Sequence, residues 1–93
     1  VLEIAGSPDP IPSIDAVVAE VARVVNGELG LPHVVTPEAR LQLDLALDSL
    51  SLLTLVVALE DRFKVMLQEE DAAEIVTVAH LAALVVRRAG EQR

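Results

Sequence analysis

Side-chain chemistry in this chain is concentrated at Asp48-Ser49-Leu50. There a hydroxyl follows a carboxylate, at the point where a polar connection gives way to the apolar run Leu50-Ser51-Leu52-Leu53-Thr54-Leu55-Val56-Val57. A serine nucleophile needs a base to take its proton and a further group to orient that base. His33 and His80 stand in other segments, and nothing in the spacing brings either to Ser49. A carboxylate just before a helix is occupied by backbone N–H groups, so Asp48 is a poor base. A second use of the hydroxyl is to be modified. A phosphodiester on the first residue of a helix would lie at the positive end of the helix dipole. Asp44 and Asp48 would repel that phosphate, but they could help a modifying enzyme hold its metal ion during phosphoryl transfer. The plainest reading makes Asp-Ser a common helix start and nothing more.

The elements around Ser49 must position it. Ser13 caps a first helix, with Asp15 in its first turn and Ile14, Val17, Val18, Val21, Ala22 and Val25 at helical spacing. Gly27, Gly30 and Pro32 end it. A long connection follows, with one short turn expected at Thr36-Pro37-Glu38. Leu41, Leu43, Leu45 and Leu47 alternate with polar or small residues, the pattern of a strand. No second strand is evident to pair with it, so the expectation is an ordered loop that pushes leucines into a helical core. The second helix runs from Ser49 to Phe63 with Asp48 as its cap. Leu52, Leu55, Val56, Leu59 and Phe63 fall on one face; Leu50, Leu53 and Val57 fall on another, joined by Thr54, Glu60 and Asp61. The second apolar face is either covered by the long loop and a neighbouring helix or open to a partner. A short acidic helix is expected over 69–75. A last helix capped by Thr77 should run from Val78 to about Arg88, bury Val78, Leu81, Ala82, Val85 and Ala89, and end at Gly90.

Composition narrows the function. Aromatic residues make up 1% of the chain, so the core must be aliphatic and pocket-forming rings are missing, a poor basis for an enzyme. Without cysteine there is no disulfide, thiolate metal site or thiol nucleophile, and two histidines are too few for a metal centre. The net charge of −8 argues against nucleic acid. Eight acids lie between Asp44 and Glu74 against Arg62 and Lys64, either a solvated helix surface or a face for a basic protein partner. No run is long and apolar enough to span a membrane, and no basic-then-apolar leader opens the chain, so the expected location is cytoplasmic.

Several short runs stand at fixed distances: Asp48-Ser49-Leu50, then Leu55-Val56-Val57-Ala58-Leu59-Glu60-Asp61-Arg62-Phe63, then Glu69-Glu70-Asp71-Ala72, then Ile75-Val76-Thr77-Val78. Together they resemble the acyl carrier proteins, with a looser likeness over residues 13–89. The resemblance implies an all-α fold: a small four-helix bundle with a long loop between the first two helices and a short third helix. It implies a carrier domain over 13–90, with 1–12 a flexible tail or linker and 91–93 a C-terminal tail. It implies a monomer and not an enzyme: 4′-phosphopantetheine is attached to Ser49 by a phosphopantetheinyl transferase from coenzyme A, with Asp48 near the transferase's magnesium. The thiol then belongs to the cofactor, which accounts for the missing cysteine. Acyl groups of fatty acid, polyketide or specialised lipid synthesis would ride there as thioesters. Acyl-loading, condensing or acyl-transfer enzymes with basic surfaces would dock on Leu50, Leu53, Thr54, Val57, Glu60 and Asp61. A cargo folded back into the bundle would meet Leu52, Val56, Leu59 and Ile75.

The chain departs from the family pattern in places. Many members have Gly two residues before the Asp, where Ala46 stands here. Ser51 and Thr54 take positions that are acidic in carriers of bacterial fatty acid synthesis, which favours a dedicated pathway. The alternatives are an aminoacyl or peptidyl carrier, including the D-alanyl kind, and a helical module used only for protein interaction. Peptidyl carriers often have His before the modified Ser, but small D-alanyl carriers have Asp there.

Overall fold

The computed structural model describes residues 12–68, 70–71 and 75–91. The tail expected over 1–12 lies outside them except for Pro12. So does most of the predicted third helix, of which Glu70 and Asp71 are seen in a 3-10 turn. Among the described residues there are three α-helices and no strand.

Helix α1, Ile14–Arg23, starts where expected, with the Ser13 hydroxyl accepting from Ala16 N at 3.0 Å. It buries Val17, Glu20 and Val21, while Ile14, predicted for the same face, lies in the first turn and is largely exposed. The helix does not stop at the glycines. It widens into a π turn, Val24–Glu28, in which Leu29 N donates to Val24 O at 2.8 Å. The wider turn buries Val24 and Val25 side by side. Gly30, at φ 68°, then turns the chain, and the Asn26 amide donates to Leu31 O and His33 O to fix the exit.

The connection to the next helix is ordered, as predicted, but its leucines do not simply alternate. Asp44 N and Leu45 N both donate to Arg40 O, so 40–45 forms a helix-like turn. Residues four apart then share a side. Leu41 and Leu45 point inward, and Leu43 is 73% exposed, correcting the expectation that all four leucines face the core. A bond from Leu47 N to Leu41 O, 3.0 Å, brings Leu47 inside as well. Leu41 N donates to Val76 O and Val78 N to Ala39 O, both at 2.9 Å, an isolated antiparallel bridge between Arg40 and Thr77.

Helix α2, Ser49–Phe63, has the predicted bounds. Leu55 and Leu59 are fully buried, whereas Leu52, Val56 and Phe63 pack against the core half-buried. Lys64 ends it in the left-handed region at φ 56°. Helix α3, Val78–Glu91, has the Thr77 hydroxyl at its start, accepting from His80 N at 3.1 Å. All the predicted core positions are buried, together with Leu84. Gly90 does not end α3. The helix continues to Glu91, held by an Arg88–Glu91 pair of 2.8 Å in its last turn.

α1 packs mainly on α3, and α2 lies across the pair. Phe63 illustrates this edge position: its ring is half-buried, with the Arg62 guanidinium 5.2 Å from its centroid. Leu59→Ala is expected to cost about 2–5 kcal/mol. Phe63→Ala should cost less than about 3 kcal/mol. Urea unfolding of the two variants gives the comparison.

Candidate functional site

The start of α2 is built by its cap. Asp48 is extended, and its Oδ1 accepts from Ser51 N at 2.7 Å. That bond, with the Ser51 hydroxyl, holds the Asp48 carboxyl below the usual carboxylate range. Ser49 is the first residue of the helix and is exposed. Its hydroxyl makes no hydrogen bond to any described residue, and no described base competes for its proton. Asp44, the other nearby acid, is tied to Arg40 by the backbone N at 2.7 Å and the guanidinium at 3.1 Å, which lowers its pKa. His80 is no base either: its Nδ1 accepts from Val76 N and Thr77 N. No group of acids and histidines among the described residues has the arrangement of a metal site.

Ala46 enters the site through its backbone. It lies at φ 56°, a region in which glycine is at ease and a side chain is strained. This is the position two before the Asp where the sequence departs from the expected Gly. The strain therefore sits in the segment that delivers Asp48 to the helix.

The two sides of Ser49 differ. On one side Leu50, Leu53 and Val57 are 72%, 57% and 53% exposed, an aliphatic stripe with no cover within the chain. Thr54 is half-buried, its hydroxyl donating to Leu50 O at 3.0 Å, and Asp61 is exposed. Glu60 is different: it is half-buried, and its carboxylate accepts from Leu67 N at 2.9 Å, fastening the following loop. Leu53, Thr54, Val57 and Asp61 continue into an open groove of about 600 Å³ that reaches Arg23 and Glu28 on the π turn. Sequence reasoning missed this groove, because the π turn that brings Glu28 there has no clear sequence signature.

On the other side, Leu52 and Ile75 line a crevice of about 270 Å³ with Arg40, Leu41, Gln42, Leu43 and Val76. Val56 and Leu59, grouped with them in the sequence reading, lie elsewhere, Leu59 in the closed core and Val56 half-buried beside it. The residues at 40–43 were not foreseen here, because the turn that shapes them replaces the apparent alternation.

Farther from Ser49, the carboxylate of Asp71 caps Gln68 N at 3.0 Å and accepts two bonds of 2.9 Å from Arg88 Nη2. It fastens the segment before α3 to the end of α3, and these partners lower its pKa.

Comparison with known proteins agrees with this arrangement. A family model described as "Phosphopantetheine attachment site" matches residues 19–85. An acyl carrier protein of Syntrophobacter fumaroxidans is 38% identical over 66 residues, 70% of this chain and 82% of that protein. One of Myxococcus xanthus is 39% identical over 67 residues, 71% of this chain and 85% of that protein. The crystal structure of an acyl carrier protein from Thermotoga maritima superposes with a TM-score of 0.75 at 23% identity, covering 86% of this chain and 94% of the other, and so shares the fold. The chain belongs to the acyl carrier protein family, whose members carry a covalently attached 4′-phosphopantetheine. Members of this family are carriers and not catalysts. An exposed, unpartnered hydroxyl at the start of α2 fits such a group.

Replacing Ala46 with Gly is expected to relieve the left-handed strain and raise stability by up to about 1 kcal/mol. A gain in urea midpoint with unchanged slope reports this. Asp71 gives a pH signature. Its carboxyl is depressed in the folded chain, so the unfolded chain takes up the proton first as pH falls. Its contribution is complete above the unfolded value of about 3.9 and is lost on further acidification through the folded value. The Tm difference between the wild type and Asp71→Asn should therefore be wide at pH 7 and narrow steadily below about pH 4.

Proposed function

We propose that Ser49 is the attachment site and that the chain presents acyl groups to enzymes of fatty acid, polyketide or specialised lipid synthesis. The observation that carries this reading is the exposed Ser49 hydroxyl, free of hydrogen bonds to described residues, at the first position of α2. Its reaction needs a base from elsewhere. In a phosphopantetheinyl transferase, Ser49 Oγ attacks the coenzyme A phosphorus that bears the pantetheine arm. The new O–P bond forms as the pyrophosphate P–O bond breaks, adenosine 3′,5′-bisphosphate leaves, and the serine proton passes to the transferase's base. Asp48, exposed and ionised, stands next to Ser49, where it can face the transferase's magnesium. Once attached, the group supplies a thiol on a flexible arm, where an acyl chain is held as a thioester.

The remaining work is recognition. Leu50, Leu53 and Val57 give a partner an aliphatic surface to cover, and Asp61 gives its basic residues a charge to approach. Glu60 contributes less to docking than its position suggests, since its carboxylate is engaged with Leu67 N. Ser51 and Thr54, in place of acids on the first turns of α2, support a dedicated pathway. The protein acts as a cytoplasmic monomer in this reading.

Intact-mass analysis after incubation with coenzyme A and a broad-specificity transferase tests the attachment. The wild type should gain one phosphopantetheinyl group, and Ser49→Ala none. Ser49→Ala should also shift folding stability by no more than about 0.5 kcal/mol, as at an exposed site. An unmodified wild type, or modification that survives in Ser49→Ala, would overturn the assignment.

A further inference from the structure

We propose that the crevice between residues 40–43 and 75–76 receives the acyl chain and selects short chains with an oxygen close to the thioester. Gln42 and Arg40 are the selecting residues. The proposal rests on Ser49 as the attachment site.

Location favours the crevice. Leu52 is one of its walls and is three residues from Ser49, a rise of about 4.5 Å along the helix. It opens on the side of Ser49 away from the exposed stripe of Leu50 and Val57, so a chain resting there leaves that stripe uncovered. Two residues at its lip also lack cover: Leu43 is 73% exposed and Val76 53% exposed. These side chains, on separate loops, line one opening, and a hydrocarbon chain lying in it would cover both.

The crevice also sets a length limit. Its floor includes Leu41, which is 1% exposed, and the core behind it is closed by Leu55 and Leu59, both 0% exposed. The volume is about 270 Å³. At ~30 Å³ for each water-sized group, it holds no more than about nine methylenes. A longer chain has no continuation and must either stay in water or part the core.

Polarity at the crevice sets the second preference. A chain entering methyl end first leaves the carbons beside the thioester nearest the mouth. Gln42 is exposed, and its amide makes no hydrogen bond to any described residue. Arg40 binds Asp44 through Nε and Nη2, leaving Nη1 with donors to spare. A saturated chain would displace water from these donors without replacing it. A 3-oxo group offers an acceptor at that place.

The experiment uses isotope-labelled protein loaded with hexanoyl, 3-oxohexanoyl or hexadecanoyl pantetheine from the matching acyl-coenzyme A, each product verified by intact mass. The free-thiol form is the reference. Backbone amide shifts of Leu43, Leu52, Ile75 and Val76 should move with both six-carbon chains, and more with 3-oxohexanoyl. Gln42→Leu, an exposed substitution that leaves the core intact, should shrink the difference between the two. Hexadecanoyl should leave the amides of Leu55, Leu59 and Leu81 unmoved. Equal shifts for the two six-carbon chains in the wild type would overturn the selectivity. Loaded protein with an unmoved crevice, or with changes centred on the three core leucines, would overturn the proposal while leaving Ser49 as the attachment site. Failure of the wild type to load would remove both.

Discussion

The bridge between Arg40 and Thr77 is the constraint on which the rest of the site depends. Two backbone hydrogen bonds of 2.9 Å join the middle of the long connection to the residues just before α3. A third, from Ala79 N to Pro37 O at 2.8 Å, extends the join. With the connection pinned there, the turn at 40–45 aims Leu41 and Leu45 into the space between the helices, and Leu47 follows. Only then does the chain arrive at Asp48 with its direction fixed, so that one carboxylate can cap α2 and leave Ser49 at the surface. The position of a single exposed hydroxyl is thus decided by backbone pairing with a segment 37 residues further along the chain.

Much of this was readable in advance, for a physical reason. α2 has both a cap with a defined donor partner and an apolar run of helical period, and its predicted bounds agree with the structure. The core positions of α3 repeat at helical spacing and are buried. What failed to show was local backbone geometry. The leucine alternation at 41–47 is the pattern of a strand, but a hydrogen-bonded turn at Arg40 changes the period from two to four and throws Leu43 outward. Gly90 reads as a stop, but an ion pair in the last turn carries the helix past it. Within the candidate site, Ser49 and Asp48 were legible because a cap is a local device. The crevice was legible only at Leu52 and Ile75, because its other walls come from loops whose shape no periodicity encodes.

Charge is organised differently from what a net value of −8 suggests. Several acids are used internally: Glu20 with Arg23, Asp44 with Arg40, Asp71 with Arg88, and Glu60 with a backbone N–H. These contacts hold loops and helix ends in place and leave less negative charge for long-range attraction of a partner. The surface beside Ser49 is aliphatic in consequence, so recognition there depends on shape and burial more than on field.

The π turn after α1 bears on how the chain tolerates change in length. An α-helix advances about 100° per residue. The wider turn accommodates an additional residue without breaking the helix. Removing a residue from Val24–Glu28 would restore ordinary helical winding, but it would rotate everything downstream by that angle and carry Leu29 and Leu31 away from the core they touch. Substitutions within the segment can be absorbed singly, whereas an insertion or deletion cannot. The turn therefore acts as a phase marker: it fixes the number of residues between α1 and the long connection even where it leaves their identity open.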